Sequence, residues 1–172
     1  ENGVMRPAGL LLEAAGTNLV TYGSSIQNWS NTGSWNIVSA NATTAPDGTI
    51  TATSIIPKVG QPSQMSNPIG SNNEKVLSVF AKANGYNHLI IVAQAQPTTS
   101  AGVLFNLTGS GSIVATNYGA TGIIQSLPNG WYRCTMVRSA SDAETMNTFI
   151  LRAADSSTPT GGYWVQTGFV GD

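Results

Sequence analysis

Residues Leu127 to Val137 read LPNGWYRCTMV, and the fold is decided there. Pro128-Asn129-Gly130 is a turn for a physical reason: proline fixes φ, while Asn and Gly tolerate positive φ. From Trp131 the chain alternates, with Tyr132, Cys134 and Met136 on one side and Trp131, Arg133 and Thr135 on the other. That period of two is the pattern of a half-buried strand. One face is apolar, and the other carries an aromatic ring and a cation.

Outward from this strand, Lys75–Ala83 sets Leu77, Val79 and Ala81 against Val76, Ser78, Phe80 and Lys82. Asn84-Gly85 is a hairpin signal. Tyr86–Gln96 returns from it, with Leu89, Ile91 and Ala93 opposite His88, Ile90, Val92 and Gln94. In Gly102–Thr108, Val103, Phe105 and Leu107 point inward and Asn106 outward. A Gly-Ser-Gly turn leads to Ser112–Thr116 and then to Tyr118, Ile123 and Ile124. Asn147–Ala154 adds a strand and Gly162–Phe169 closes the chain. Upstream, Ala45-Pro46-Asp47-Gly48 is a type I or II turn before a strand over Thr49–Ile56, with Ile50, Ala52, Ser54 and Ile56 on one face. The long polar stretch Pro57–Asn73 has room for a short edge strand near Ser63–Ser66. The burst Leu10-Leu11-Leu12 fits a helix or a strand, but Gly9 and Gly16 limit its length, so a strand is expected around Leu10–Glu13. About nine or ten short strands, turns at intervals of roughly 8–15 residues and little helical periodicity predict an all-β, two-sheet antiparallel sandwich of jelly-roll type. Residues 1–8 are expected to be an N-terminal arm and residues 9–172 a single domain.

Composition narrows the function classes. Charged residues are 9% of the 172, against about 25% in an average soluble domain, so hydroxyls and amides must solvate the surface. Seven Lys and Arg are scattered and the net charge is −1, which gives no basic patch for nucleic acid. No apolar run approaches the ~20 residues of a membrane-spanning helix. The chain starts at Glu1 without Met, as a trimmed fragment or processed product would. Cys134 is the single cysteine, and its apolar, alternating strand points to a buried thiol rather than a nucleophile.

Several segments together resemble carbohydrate-binding-module-like jelly-roll domains of bacteriophage tail and virion proteins. They are GLLLEAAGTNL at 9–19, ANATTAPDGT at 40–49, LSVFAKA at 77–83, Phe105–Leu107 and NGWYRCTM at 129–136. The resemblance implies a galactose-binding-like sandwich appended for glycan binding or particle assembly, and no enzyme. This chain departs from the family pattern in the opening motif, where family members often have a second acid and an Arg and this chain has Ala14 and Gly16, and in the closing strand Tyr163–Gly168.

Glycan recognition needs flat aromatic faces with hydrogen-bonding groups beside them. Trp131 and Trp164 sit in strands at positions where the family has Trp, and Trp29 also matches a family Trp, so packing is expected for all three. Trp35 lies in a polar segment without a counterpart; a binding surface and simple loop packing weigh equally for it. His88, Gln94, Arg133 and Arg152 are the side chains that, with Trp35, would line a glycan groove, against the plainer reading of a solvated sheet face. His88 is the only histidine, and no nucleophile motif accompanies it. The eight acids are dispersed, so no paired carboxylates suggest glycoside hydrolysis. Glu13, Asp47, Glu144 and Asp172 offer oxygens to a structural calcium, but no calcium-loop spacing is present, and no metal site or other cofactor is expected. Sequons at Asn28, Asn41 and Asn106 matter only in a eukaryotic secretory route.

The expectation is therefore a non-catalytic structural module of a phage particle, a fibre, tail or capsid-decorating domain, located in the virion. Its partners would be other virion proteins and further copies of itself, with a trimer favoured by the symmetry of such assemblies. The alternative is a carbohydrate-binding module that attaches to cell-surface polysaccharide.

Overall fold

The computed structural model describes Ile26 and residues 30–32, 35–57, 64–72, 74–96, 100–139 and 145–154. The expected arm at 1–8, the strand at Leu10–Glu13, the closing strand, Trp29, Trp164, Glu13, Glu144 and Asp172 lie outside the described residues. The strands are β1 (Ser30–Thr32), β2 (Trp35–Thr43), β3 (Ala52–Pro57), β4 (Gln64–Asn72), β5 (Glu74–Lys82), β6 (His88–Gln96), β7 (Ser100–Asn106), β8 (Ser112–Asn117), β9 (Ala120–Ser126), β10 (Trp131–Ser139) and β11 (Thr145–Ala154). They form a six-stranded sheet in the order β1-β4-β11-β6-β7-β8, a three-stranded sheet β5-β10-β9 and a ribbon β2-β3. Every pairing is antiparallel.

The two larger sheets share one core. Leu77 and Ala81 from β5, Tyr132, Cys134 and Met136 from β10, and Ala120 from β9 meet Leu89, Ile91, Ala93, Val103, Phe105 and Leu151 from the six-stranded sheet. The alternation read in β5, β6, β7 and β10 is the alternation that builds this layer. It makes the structure an all-β sandwich in which the apolar face of each sheet removes the other's from water. The six-stranded sheet is buried on its second face as well, where Ile90, Val92, Leu104 and Ile150 form a separate cluster.

The Asn84-Gly85 turn differs from expectation. Gly85 takes the positive φ (+96°) that the signal requires, but β5 and β6 belong to different sheets. The turn is an arch across the sandwich rather than a hairpin. Leu77 and Ala81 must lie opposite Leu89 and Ile91, and a hairpin would set them side by side in one sheet. The stretch near Ser63–Ser66 also differs: β4 runs from Gln64 to Asn72 and pairs on both sides, with β1 and β11. Its proline, Pro68, sits beyond the three residues of β1 and opposite a register shift in β11 between Met146 and Thr148. A missing ladder N–H is tolerated at such an irregularity. β3 begins at Ala52 rather than Thr49, because the preceding residues are tied up in the turn. There Gly48 N–H donates to Ala45 O at 3.0 Å, and Thr49 donates from its N–H (2.9 Å) and its hydroxyl (2.7 Å) to the Asp47 carboxylate. These bonds, the hydroxyl's first, hold the Asp47 carboxyl below its ordinary pKa.

Two tight turns close the sandwich next to β10. Pro128-Asn129-Gly130 forms a 3-10 turn in which Asn129 and Gly130 have φ of +62° and +78°, as their residue types allow. Tyr118 and Gly119 are both left-handed and join β8 in one sheet to β9 in the other. Arg138, on the core side of β10 and buried, donates from its guanidinium to the Tyr118 carbonyl and so fastens this turn.

Among the described glycines, Gly111 combines a left-handed backbone with close packing. Its φ is +78°, and a Cβ there would lie 2.8 Å from Ile124 Cδ1 and 3.0 Å from the Tyr132 ring. Tyr132 is itself fixed by its hydroxyl, which donates to Gly109 O at 2.9 Å. Gly111→Ala is expected to destabilise the fold by about 3 kcal/mol through overpacking and backbone strain. Gly109→Ala, where a Cβ meets nothing within 4 Å, is expected to cost about 1 kcal/mol through φ alone. Urea unfolding of the two variants checks the difference; equal losses would contradict the packing of Tyr132 against Gly111.

Candidate functional surface

Because β10 alternates, the residues that do not enter the core point out of the three-stranded sheet. The register sets three cross-strand rows: Val76–Val137–Thr121, Ser78–Thr135–Ile123 and Phe80–Arg133–Gln125. Lys82 and Trp131 form the last pair. The face is largely open, with Val76 65%, Ile123 59% and Phe80 38% exposed. Ser78 and Thr135 share a hydroxyl hydrogen bond at 3.1 Å, and Arg133 Nε donates to Ser78 Oγ at 3.2 Å.

At the Lys82 end this face runs under the ribbon. Trp131 is 2% exposed and packs with Ala45, Ala52 and Leu127. Its indole N–H donates to Thr44 O at 3.2 Å. One side chain therefore clamps the 43–52 segment, and with it the ribbon, onto the sheet. Above it opens a cleft of about 240 Å³ lined by Ala42, Thr43, Thr53, Ser54, Lys82, Ala83, Asn84 and Trp131. Its polar lining is three hydroxyls, one amide and one ammonium, with no carboxylate. Trp131 offers only a sliver of ring as the floor.

The five side chains proposed from sequence are dispersed over the fold. Arg133 is exposed on the outer face of the three-stranded sheet. His88 and Gln94 are half-buried on β6, on the side that carries Ile90 and Val92, which is the far side of the six-stranded sheet from the shared core. Arg152 takes register with Ile90. Trp35 opens β2 opposite Pro57. His88, Gln94 and the Arg152 position thus belong to one sheet, Arg133 to the other, and Trp35 to the ribbon. The middle of the His88 side of β6 is closed, Ile90 and Val92 being buried, so that side is not the solvated sheet face of the plainer reading. Sequence reasoning missed Lys82, Asn84 and the Thr43, Thr53 and Ser54 hydroxyls. Their signal was the outward parity of Lys82 with Phe80, and a turn whose asparagine was read for backbone shape alone.

Cys134 is fully buried, and desolvation pushes its thiol up to about 12. Among the described residues no three His, Cys, Asp or Glu side chains come together as a metal site, and no helix is long and apolar enough to cross a membrane. Fold and surface together define an all-β sandwich protein with an open sheet face that carries Arg133 and Lys82 toward one end, beside a cleft. No protein-family model matches the chain, and no curated protein matches it.

Two outcomes test this geometry. Trp131→Phe keeps most of the packing but leaves Thr44 O without its donor, and is expected to cost about 2 kcal/mol in urea unfolding; Trp131→Ala is expected to cost about 3–5 kcal/mol. A Trp131→Ala protein as stable as wild type would contradict the clamp. The Cys134 thiol is expected to stay unreactive to a thiol reagent at pH 8 until the protein unfolds. Its folded pKa is raised above the ordinary 9.0, so its stabilising contribution is complete below pH 9 and is lost between pH 9 and about 12, where the unfolded thiol ionises first. A melting temperature measured across that range should fall less for Cys134→Ala, relative to its own value at pH 8, than for wild type.

Proposed function

We propose that this chain is a non-catalytic structural module of a bacteriophage particle, a fibre, tail or capsid-decorating domain with the jelly-roll, galactose-binding-like topology of the family it resembles. The observation that carries this reading is the outer face of the three-stranded sheet. Val76 and Ile123 stand largely in water on a regular surface whose Ser78–Thr135–Ile123 row holds hydroxyls rather than charges. Covering such a face releases apolar area without stripping water from ions, which is how the centres of protein interfaces are composed. The low charge of the whole chain and the resemblance over five ordered segments support the same reading, with other virion proteins and further copies of the chain as partners. The dispersed acids and the single histidine favour a binding role over catalysis.

A second reading, attachment to a surface polysaccharide, is favoured by one specific observation: a cleft lined in part by Lys82, Asn84 and side-chain hydroxyls beside the exposed Phe80 and Arg133.

Light scattering on the purified chain tests the first reading. A trimer or other closed ring is expected, and Ile123→Asp and Val76→Asp are expected to return it to a monomer while moving Tm by no more than about 2 °C, because both side chains are solvent-exposed in the single chain. A wild-type chain that stays monomeric at its highest soluble concentration would contradict self-assembly through this face.

A further inference from the structure

The end of the outer face at Lys82 carries two cations, Lys82 and Arg133, where the described outward positions toward Val76 carry none. Phe80 lies directly across from Arg133 and two residues before Lys82 on the same strand, so the exposed ring stands between two cationic side chains. Arg133 and Lys82 are diagonal neighbours, about 7–8 Å apart between their strand positions. Gln125 lies across from Arg133 on the third strand, and Asn84 sits beyond Lys82 in the cleft. The outward positions from Val76 to Lys82, Trp131 to Val137 and Thr121 to Gln125 include no acid. Glu74, at the opposite end of β5, pairs with Ser139 and is separated from Lys82 by the length of the strand. Among the described residues, no side-chain hydrogen bond or ion pair engages Lys82 or Asn84.

We infer that this end of the face binds an acidic saccharide, a sugar carrying a carboxylate. The inference rests on the attachment reading above and names its ligand class. Phe80 offers the flat apolar surface on which a pyranose ring lies. Lys82 and Arg133 on either side supply the positive partners for carboxylates on the ring, or on two successive rings. Arg133 keeps its terminal N–H groups for that role, since the bond to Ser78 uses Nε. Asn84 and Gln125 provide amides for ring hydroxyls, and the cleft over Trp131, at about 240 Å³, has room for one sugar unit or a ring substituent. A neutral sugar would leave both cations without an anionic partner, so the arrangement selects for charge.

The test is calorimetric titration of the full chain with trisaccharides of galacturonate, glucuronate and mannuronate, each beside its carboxyl-reduced, neutral counterpart. At least one acidic trisaccharide is expected to bind about tenfold or more tightly than its reduced form, and to weaken with added salt. Lys82→Gln and Arg133→Gln are each expected to lower the acidic affinity about five- to tenfold without changing that for the reduced form. Phe80→Ala is expected to weaken both. Melting curves confirm that each variant is folded. Equal binding of acidic and reduced forms would overturn the acidic inference and leave glycan attachment standing. Binding of no member of the panel would overturn both.

Discussion

The alternation of β10 is the constraint on which the rest of the structure depends. Tyr132, Cys134 and Met136 enter the shared core, where they meet the six-stranded sheet. The intervening residues are thereby forced outward, and the first of them, Trp131, pins the ribbon through its packing and its bond to Thr44. A one-residue slip in β10 would exchange the two sets. It would place Arg133 and Thr135 in the core and leave Tyr132 without Gly109 O. The turn at Pro128-Asn129-Gly130 opposes that slip, because it sets the register of β10 against β9: Leu127 N–H donates to Trp131 O at 2.8 Å and Tyr132 lies opposite Ser126.

Around this strand, function follows from what the core does not use. A sandwich needs one face of each sheet. The six-stranded sheet buries its second face too, at Ile90, Val92, Leu104 and Ile150. The second face of the three-stranded sheet is exposed at Val76, Ser78, Phe80 and Ile123, and among the described residues it is buried at Trp131. That asymmetry sets two kinds of surface side by side. One end is apolar and suited to protein contact, and the other is cationic and suited to a charged ligand. In a particle, the first would hold the module in place and the second would face outward to what the particle meets.

Much of the fold was legible in the sequence because period-two alternation reports burial directly. Phe105 is read as inward and Tyr132 and Met136 as an apolar face from pattern alone, and all three are buried, as are Leu77 and Leu89 on one of the two faces that alternation separates in their strands. What alternation does not report is which strands share a sheet. Asn84-Gly85 supplies the backbone shape of a turn but not its destination, so the arch between sheets was read as a hairpin. The site was less legible for the same reason. His88, Gln94, Arg133 and Arg152 are all strand residues, but pairing puts Arg133 in the other sheet. Arg138 was invisible because it sits on the apolar side of its strand and is tolerated there by the Tyr118 carbonyl, a partner twenty residues away in sequence.

The claim most open to direct measurement is that the outer face of the three-stranded sheet is the working surface. Hydroxyl-radical footprinting read by mass spectrometry, on the assembled chain and on the same chain dissociated, measures it residue by residue. Leu77, Tyr132 and Met136 are predicted to be protected in both states. Val76 and Ile123 are predicted to be oxidised in the dissociated chain and shielded in the assembly. Oxidation of Val76 and Ile123 to the same extent in both states would show that the working surface lies elsewhere.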